Sequence, residues 1–252
     1  MLPMLEQRFD VLAVDMPGFG HSEPLPPSID STPEALADAV EDEMGRAGFD
    51  RAHIAGNSLG GWVSLELARR GRAHTVTAIS PAGLQHAREK YWGANVLRGL
   101  RWVSRTSPAP EPVMRNPVAR TLLLSSTYAR GWKKDPKEVM EESDLFCSCA
   151  GFDATLPHVI HAQPRGLTSL DTPVLVLWGT LDMVLLPRQG RRFERLIPGA
   201  ELRYLRGMGH IPMADAPEEV ADAITSFALE RERSGSDRSP RPACDAAVAA
   251  PP

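Results

Sequence analysis

The chain has 252 residues, 42% of them hydrophobic and 24% charged, with a formal net charge of −4. That length suffices for one α/β core carrying an insertion. A mildly acidic balance leaves no electrostatic footprint for nucleic acid, and no run approaches the roughly 18 apolar residues that cross a bilayer. The start, Met1 to Glu6, lacks the basic head and long apolar stretch of a secretory leader. Three cysteines, an odd number, argue against a disulfide framework. Cys147 and Cys149 flank one serine, too close for a metal knuckle, and no histidine pair completes a zinc set. The expectation is a cytoplasmic protein that uses no cofactor or metal and has no nucleic-acid or membrane partner.

In chain order, Phe9 to Asp15 reads as a buried strand that ends in the turn Pro17-Gly18-Phe19-Gly20. Ser31 and Thr32 before Pro33 are helix-start residues. Leu36, Val40 and Met44 then recur at helical spacing, up to Gly48. A short apolar strand, His53-Ile54-Ala55, leads through a tight turn into a helix closed by Gly71. Thr75 to Ser80 is the next strand, stopped by Pro81. Strand and helix alternate to this point, as in a parallel, doubly wound sheet.

From Leu84 to about Gly166 the rhythm changes to helical periodicity broken by proline-rich connectors, notably Ser107 to Pro112. The spacing predicts helices over Gln85–Ser104, Pro117–Arg130, Pro136–Cys149 and Thr155–Ala162. Trp92, Trp102, Tyr128, Trp132, Phe146 and Phe152 gather here, as core of a helical layer or as the wall of a pocket. The sheet resumes at Pro173 with an apolar run through Gly179. A helix over Pro187–Leu196, a strand over Glu201–Leu205 and a closing helix from Pro217 follow. Domains are therefore expected at 1–83 and 169–230 for the core and 84–168 for the helical insertion. Residues 231–252, rich in Arg, Ser, Pro and Ala, bury too little apolar surface to order themselves.

Chemistry concentrates in Gly56-Asn57-Ser58-Leu59-Gly60, a G-x-S-x-G nucleophile elbow between strand and helix. Glycines on either side of the serine relieve the close approach of the two elements. The following helix aims its N-terminus at the site, so the Leu59 amide is the candidate oxyanion donor. Downstream lie Asp182, just past the Trp178-Gly179 strand end, and His210 in Gly207-Met208-Gly209-His210. Ser58, Asp182 and His210 each sit at the carboxyl end of a predicted strand, where open α/β sheets place their sites. Asp171 is the fallback acid, but it precedes its strand. Among the other histidines, His21 on the Gly-Phe-Gly loop is the one placed to reach the site, against the plainer reading of a loop histidine. Asn57, Trp92, Trp132 and Phe146 are candidate substrate contacts.

These motifs, with Asp15-Met16-Pro17-Gly18-Phe19-Gly20-His21-Ser22, make the chain resemble the α/β-hydrolase superfamily, in its serine-nucleophile branch with a helical cap, from about Phe9 to Leu229. The resemblance implies a Ser58–His210–Asp182 triad cleaving a carboxylic ester or related acyl bond through an acyl-enzyme. Serine at the elbow argues against the dehalogenase and epoxide-hydrolase chemistries, which use a carboxylate nucleophile. Hydrolytic C–C cleavage of a ring-fission diketone is the alternative, because Gly-Asn-Ser-Leu-Gly-Gly is similar to the elbow of those hydrolases, and a cofactor-free perhydrolase is a third. The resemblance also places three strands before Phe9, the third followed by a His-Gly loop that supplies a second oxyanion amide. Only eight residues precede Phe9. The chain thus reads as truncated relative to the family, with a natural start upstream of Met1 and Met1–Glu6 ending the helix before the Phe9 strand. A non-catalytic protein that kept the fold is the reading from another class.

Overall fold

The computed structural model describes residues 1–106 and 111–236. Four parallel strands form one sheet in the order β1 (Ala52–Asn57), β2 (Ala73–Ile79), β3 (Val174–Gly179) and β4 (Glu201–Leu205). Alternation along β2 and β3 sends side chains to opposite faces. Val76, Ala78, Val174, Val176 and Trp178 enter one core, whereas Ile79, Leu175 and Leu177 enter the other.

Helices cover both faces. Short α1 (Leu2–Leu5) opens the chain, and α2 (Pro33–Arg46) starts where the sequence predicts, with Thr32 Oγ1 accepting the Ala35 amide at 3.1 Å. Helix α3 (Leu59–Arg69) ends at Arg70, and Gly71 follows with φ +79°. It brings Trp62, Leu65 and Ala68 onto the first face, where Phe193 of the later α9 (Gly190–Leu196) joins them. Its Val63 and Leu67 meet Leu36, Ala37 and Met44 of α2. On the second face Leu5 packs with Val220, Ala221, Ile224 and Phe227 of the C-terminal helix. Full burial of the leucine, isoleucine and phenylalanine side chains among these is worth about 2–3 kcal/mol each.

Between β2 and β3 the insertion is helical: α4 (Ala87–Thr106), α5 (Glu111–Arg115), α6 (Pro117–Leu124), α7 (Pro136–Ser148) and α8 (Ala150–His161). The helix expected over Pro117–Arg130 stops at Leu124, because the connector must turn back toward a 3₁₀ turn at Gly131–Lys133. Two buried guanidiniums collect the carbonyls these breaks release. Arg120 donates to Met114, Gly131 and Trp132, and Arg101 to Phe146 and Cys149. Much of the proline-rich connector, Ser107 to Pro110, lies outside the described residues.

After β4 come α10 (Pro212–Asp215) and α11 (Pro217–Ser236). The last helix runs six residues past the boundary expected at Glu230. Arg231 pairs with Glu201 and Glu232 with His53, so that turn is tied to the sheet. The rest of the expected tail, 237–252, lies outside the described residues.

One expected strand does not form. Phe9 to Asp15 carries no ladder, although the Phe9 ring lies 5.9 Å from that of His53 on β1. A strand needs a hydrogen-bonded neighbour about 4.8 Å away. Among the described residues β1 has no strand on its outer edge, so the apolar segment touches the sheet through side chains only. A cleft of about 430 Å³ separates Leu12–Asp15 from Ala39, Asp42 and Arg46 of α2.

The Pro17-Gly18-Phe19-Gly20 turn that follows is held by the Asp15 carboxylate, which accepts the His21 amide at 3.0 Å. A Cβ on Gly20, which has φ +55°, would lie 2.3 Å from that carboxylate. The turn seats the insertion: Gly151 at the start of α8 donates to the Gly18 carbonyl at 2.8 Å, and a side chain there would strike the Phe19 ring.

Candidate active site

Ser58 links β1 to α3 with φ 55° and ψ −112°, a conformation that costs about 1–3 kcal/mol for a residue with a Cβ. Flanking bonds hold it there. The Ser58 amide donates to the Ile79 carbonyl at 2.9 Å, and the Ser58 carbonyl accepts the amides of Trp62 and Ala82. The two elbow glycines do different things. A Cβ on Gly56 would lie 2.2 Å from the Gly60 carbonyl, whereas one on Gly60 would meet nothing within 4 Å. The second close approach falls to Gly61, whose Cβ would lie 2.9 Å from Pro81. The steric reading of the motif therefore holds for Gly56 and is corrected for Gly60. Leu59 opens α3, so its amide lies outside the intrahelical ladder.

Asp182 and His210 come together. His210 Nδ1 lies 2.8 Å from Asp182 Oδ2, and the residues are only 5% and 2% exposed. A carboxylate is acceptor-only, so in the neutral imidazole Nδ1 carries the proton and Nε2 has the lone pair. Asp182 Oδ1 accepts the amides of Val184 and Leu185 at 2.9 and 2.8 Å, which fixes the carboxylate plane. The loop is pinned from beneath, because Trp178 Nε1 donates to the Leu185 carbonyl at 2.9 Å. Gly179 lets the His210 loop close on it: a Cβ there would lie 2.1 Å from the Gly209 carbonyl. Trp178-Gly179 before the acid thus has a packing reason. Asp171 is exposed before β3, and His21 is an exposed loop residue.

Asn57 joins elbow and histidine. Its Nδ2 donates to the Ile79 carbonyl at 3.1 Å and to the His210 carbonyl at 3.0 Å. Both amide protons are thereby committed to the scaffold, which accounts for Asn57 without a substrate contact. Trp92 is half-exposed and donates Nε1 to the Met183 carbonyl, beside Asp182. Trp132 is exposed, and its carbonyl accepts from Arg120. Phe146 sits edge-on to Phe152 at 5.3 Å, with the Arg101 guanidinium over both rings. The hydrogen bonds and ring contacts of these three candidates lie within the helical insertion and the Asp182 loop, none with Ser58 or His210.

Asp215 is a polar group that the sequence reading passed over. It is 2% exposed and accepts three backbone amides: Gly209 at 2.7 Å, Arg130 at 2.7 Å and Ala129 at 3.1 Å. The Ile211 amide donates to the Thr127 carbonyl alongside. Residues 127–130 of the insertion are thereby tied to the histidine loop. An acid inside the apolar run Ile211-Pro212-Met213-Ala214 just ahead of a helix was the available signal. A separate cleft of about 790 Å³, lined by Glu34, Glu66, Arg69, Lys90 and Arg165, contains none of the three candidate catalytic residues.

Comparison with known proteins shows the family. Residues 1–223 match the model of the Alpha/beta hydrolase family. The chain is 33% identical over 201 residues to epoxide hydrolase EphH of Mycobacterium tuberculosis, covering 77% of this chain and 94% of that one. It is 25% identical over 234 residues to carboxylesterase YbfK of Bacillus subtilis, covering 87% and 71%. A meta-cleavage product hydrolase from Pseudomonas fluorescens IP01 superposes with a TM-score of 0.68 at 19% identity, covering 91% of this chain and 83% of the other, a likeness of fold alone. With its parallel sheet, strained elbow and buried acid–histidine pair, this chain is a hydrolase of the alpha/beta hydrolase family.

Proposed function

We propose that the protein is a cytoplasmic serine hydrolase that cleaves a carboxylic ester or related acyl bond in a small-molecule substrate, through Ser58, His210 and Asp182. The observation that carries the reading is the buried 2.8 Å pair of His210 Nδ1 and Asp182 Oδ2, which leaves Nε2 as a base. Asn57, the residue before the strained Ser58, donates to the His210 carbonyl and so ties the histidine loop to the elbow. Ser58 Oγ attacks the acyl carbonyl while His210 Nε2 takes the hydroxyl proton. Charge on the carbonyl oxygen is met by the Leu59 amide. The tetrahedral adduct expels the alcohol, which leaves with the proton from His210, and an acyl-enzyme remains. Water, deprotonated by His210, attacks the acyl-enzyme, and the adduct expels Ser58 Oγ, which takes the proton from His210 as the carboxylic acid leaves. Asp182 holds the imidazole tautomer and stabilises its cation.

The 33% relative is named an epoxide hydrolase, but epoxide opening through a carboxylate nucleophile does not suit the elbow of this chain, which carries Ser58. C–C cleavage of a ring-fission diketone is the second reading, favoured by the Gly-Asn-Ser-Leu-Gly-Gly elbow.

The test is labelling of the purified protein with a fluorophosphonate, read by intact mass, with Ser58→Ala and Asp182→Asn as controls. The expected result is one adduct in the parent, none in Ser58→Ala and labelling slowed by about 10⁴ in Asp182→Asn. Folded parent protein that takes no label overturns the reading. Turnover of a ring-fission diketone with no turnover of simple esters moves the assignment to C–C cleavage.

A further inference from the structure

The outward side of α4 alternates basic and aromatic residues. At 3.6 residues per turn, Arg88, Tyr91, Trp92, Arg98, Trp102 and Arg105 share one side of the helix. All six are exposed, Trp102 by 67% and Tyr91 by 56%. Within α4 the one acid, Glu89, is buried and held by Arg188 and Arg192, while Arg105 donates to the Cys147 carbonyl and lies 3.9 Å from Asp153 of α8. Arg88 and Arg98 have no ion-pair partner among the described residues. The apolar surface continues past Trp92, through its bond to Met183, onto the exposed Leu181 and Met183 of the Asp182 loop.

Such a face is ill-suited to plain water. Clustered exposed aromatics on a soluble protein mark an interaction site. Here the cluster is studded with cations in a chain whose net charge is −4, so the complementary surface is anionic. Tryptophan and tyrosine favour the boundary between headgroups and acyl chains. Arginine reaches phosphates with a planar, bidentate fork while its stem stays in apolar surroundings. A helix of 20 residues presents the array over about 30 Å.

We propose that this face of α4 docks the protein on an anionic lipid bilayer. Tyr91, Trp92 and Trp102 enter the headgroup boundary, and Arg88 and Arg98 meet lipid phosphates. The expectation of no membrane partner rested on the want of a spanning segment, and no helix among the described residues is long and apolar enough to cross a membrane. Surface docking needs none. The docking does not rest on the acyl-hydrolase reading.

The experiment is co-sedimentation of the full chain with phosphatidylcholine vesicles and with the same vesicles doped with phosphatidylglycerol. The protein is expected to sediment with the doped vesicles and to be released as salt rises. Arg88→Gln with Arg98→Gln should lower partitioning about 25-fold, at roughly fivefold per arginine. The matching pair of Lys variants should keep most of it, and Trp102→Ala should weaken it. Thermal melting of each variant confirms folding, and ester turnover in detergent-free buffer should stay at the parent level. No binding to doped vesicles overturns the proposal, as does binding that the Gln pair leaves unchanged. Tighter binding to a duplex oligonucleotide than to the doped vesicles also overturns it, and assigns the face to nucleic acid.

Discussion

The side-chain amide of Asn57 donates to the main-chain carbonyl of His210 at 3.0 Å, across 153 positions of sequence. With its second bond, to Ile79, it makes one rigid piece of the β1 end, the β2 end and the histidine loop. Asn57→Ala removes both bonds, each worth about 1 kcal/mol. The expected result is a fall in kcat/KM of about tenfold on an ester substrate and a Tm lower by a few degrees. Asn57→Asp, which cannot donate and sets a charge against two carbonyls, should do worse than alanine. Equal activity in all three proteins would show that the bridge does not position His210.

The elbow glycines separate a steric requirement from a sequence habit. Gly56→Ala puts a methyl group 2.2 Å from the Gly60 carbonyl and should abolish soluble folded protein. Gly60→Ala enters open space in the first turn of α3 and should stabilise by about 0.5–1 kcal/mol through helix propensity. Soluble yield reads the first variant, and urea denaturation against the parent reads the second.

Asp215 accepts the amides of Gly209, Ala129 and Arg130 with its two carboxylate oxygens. Asp215→Ala would leave one buried and two part-buried amides unpaired, at about 1–3 kcal/mol each. We expect a loss of at least about 3 kcal/mol in urea unfolding. Proteolysis should open first near residues 127–130, where the insertion loses its hold on the histidine loop. Retention of parental stability would show that water replaces the carboxylate.

Glu89 gives the fold an acid-sensitive clamp between α4 and α9. Burial by itself would raise its pKa, but hydrogen bonds from Arg192, the His86 amide and Arg188 outweigh it and hold the carboxyl at about 2. A folded-state pKa below the ordinary value of 4.5 means the stabilisation is present above pH 4.5 and is lost as pH falls toward 2. At pH 7 Glu89→Gln should cost about 2 kcal/mol, below the fully buried case because Arg188 is 66% exposed. In melts from pH 7 down to pH 3, the gap between parent and variant should narrow. A gap that stays constant would refute the linkage.

Local pattern alone located much of this molecule. The apolar run Pro173 to Gly179, the alternation at Glu201–Leu205, the cap at Thr32 and the elbow turn at Ser58 correspond to β3, β4, α2 and α3, because period, capping and turn chemistry are properties of a few neighbouring residues. Chain order likewise pointed to Asp182 and His210, which the fold brings within 2.8 Å. What tertiary structure decided are the features that depend on a distant partner. Phe9 to Asp15 has the composition of a strand but no ladder, since a strand exists only beside another strand. Gly60 looks as necessary as Gly56 until the open space around it is known. Asn57 and Asp215 acquire their roles from carbonyls and amides far along the chain, and such backbone groups carry no signature in a side-chain alphabet.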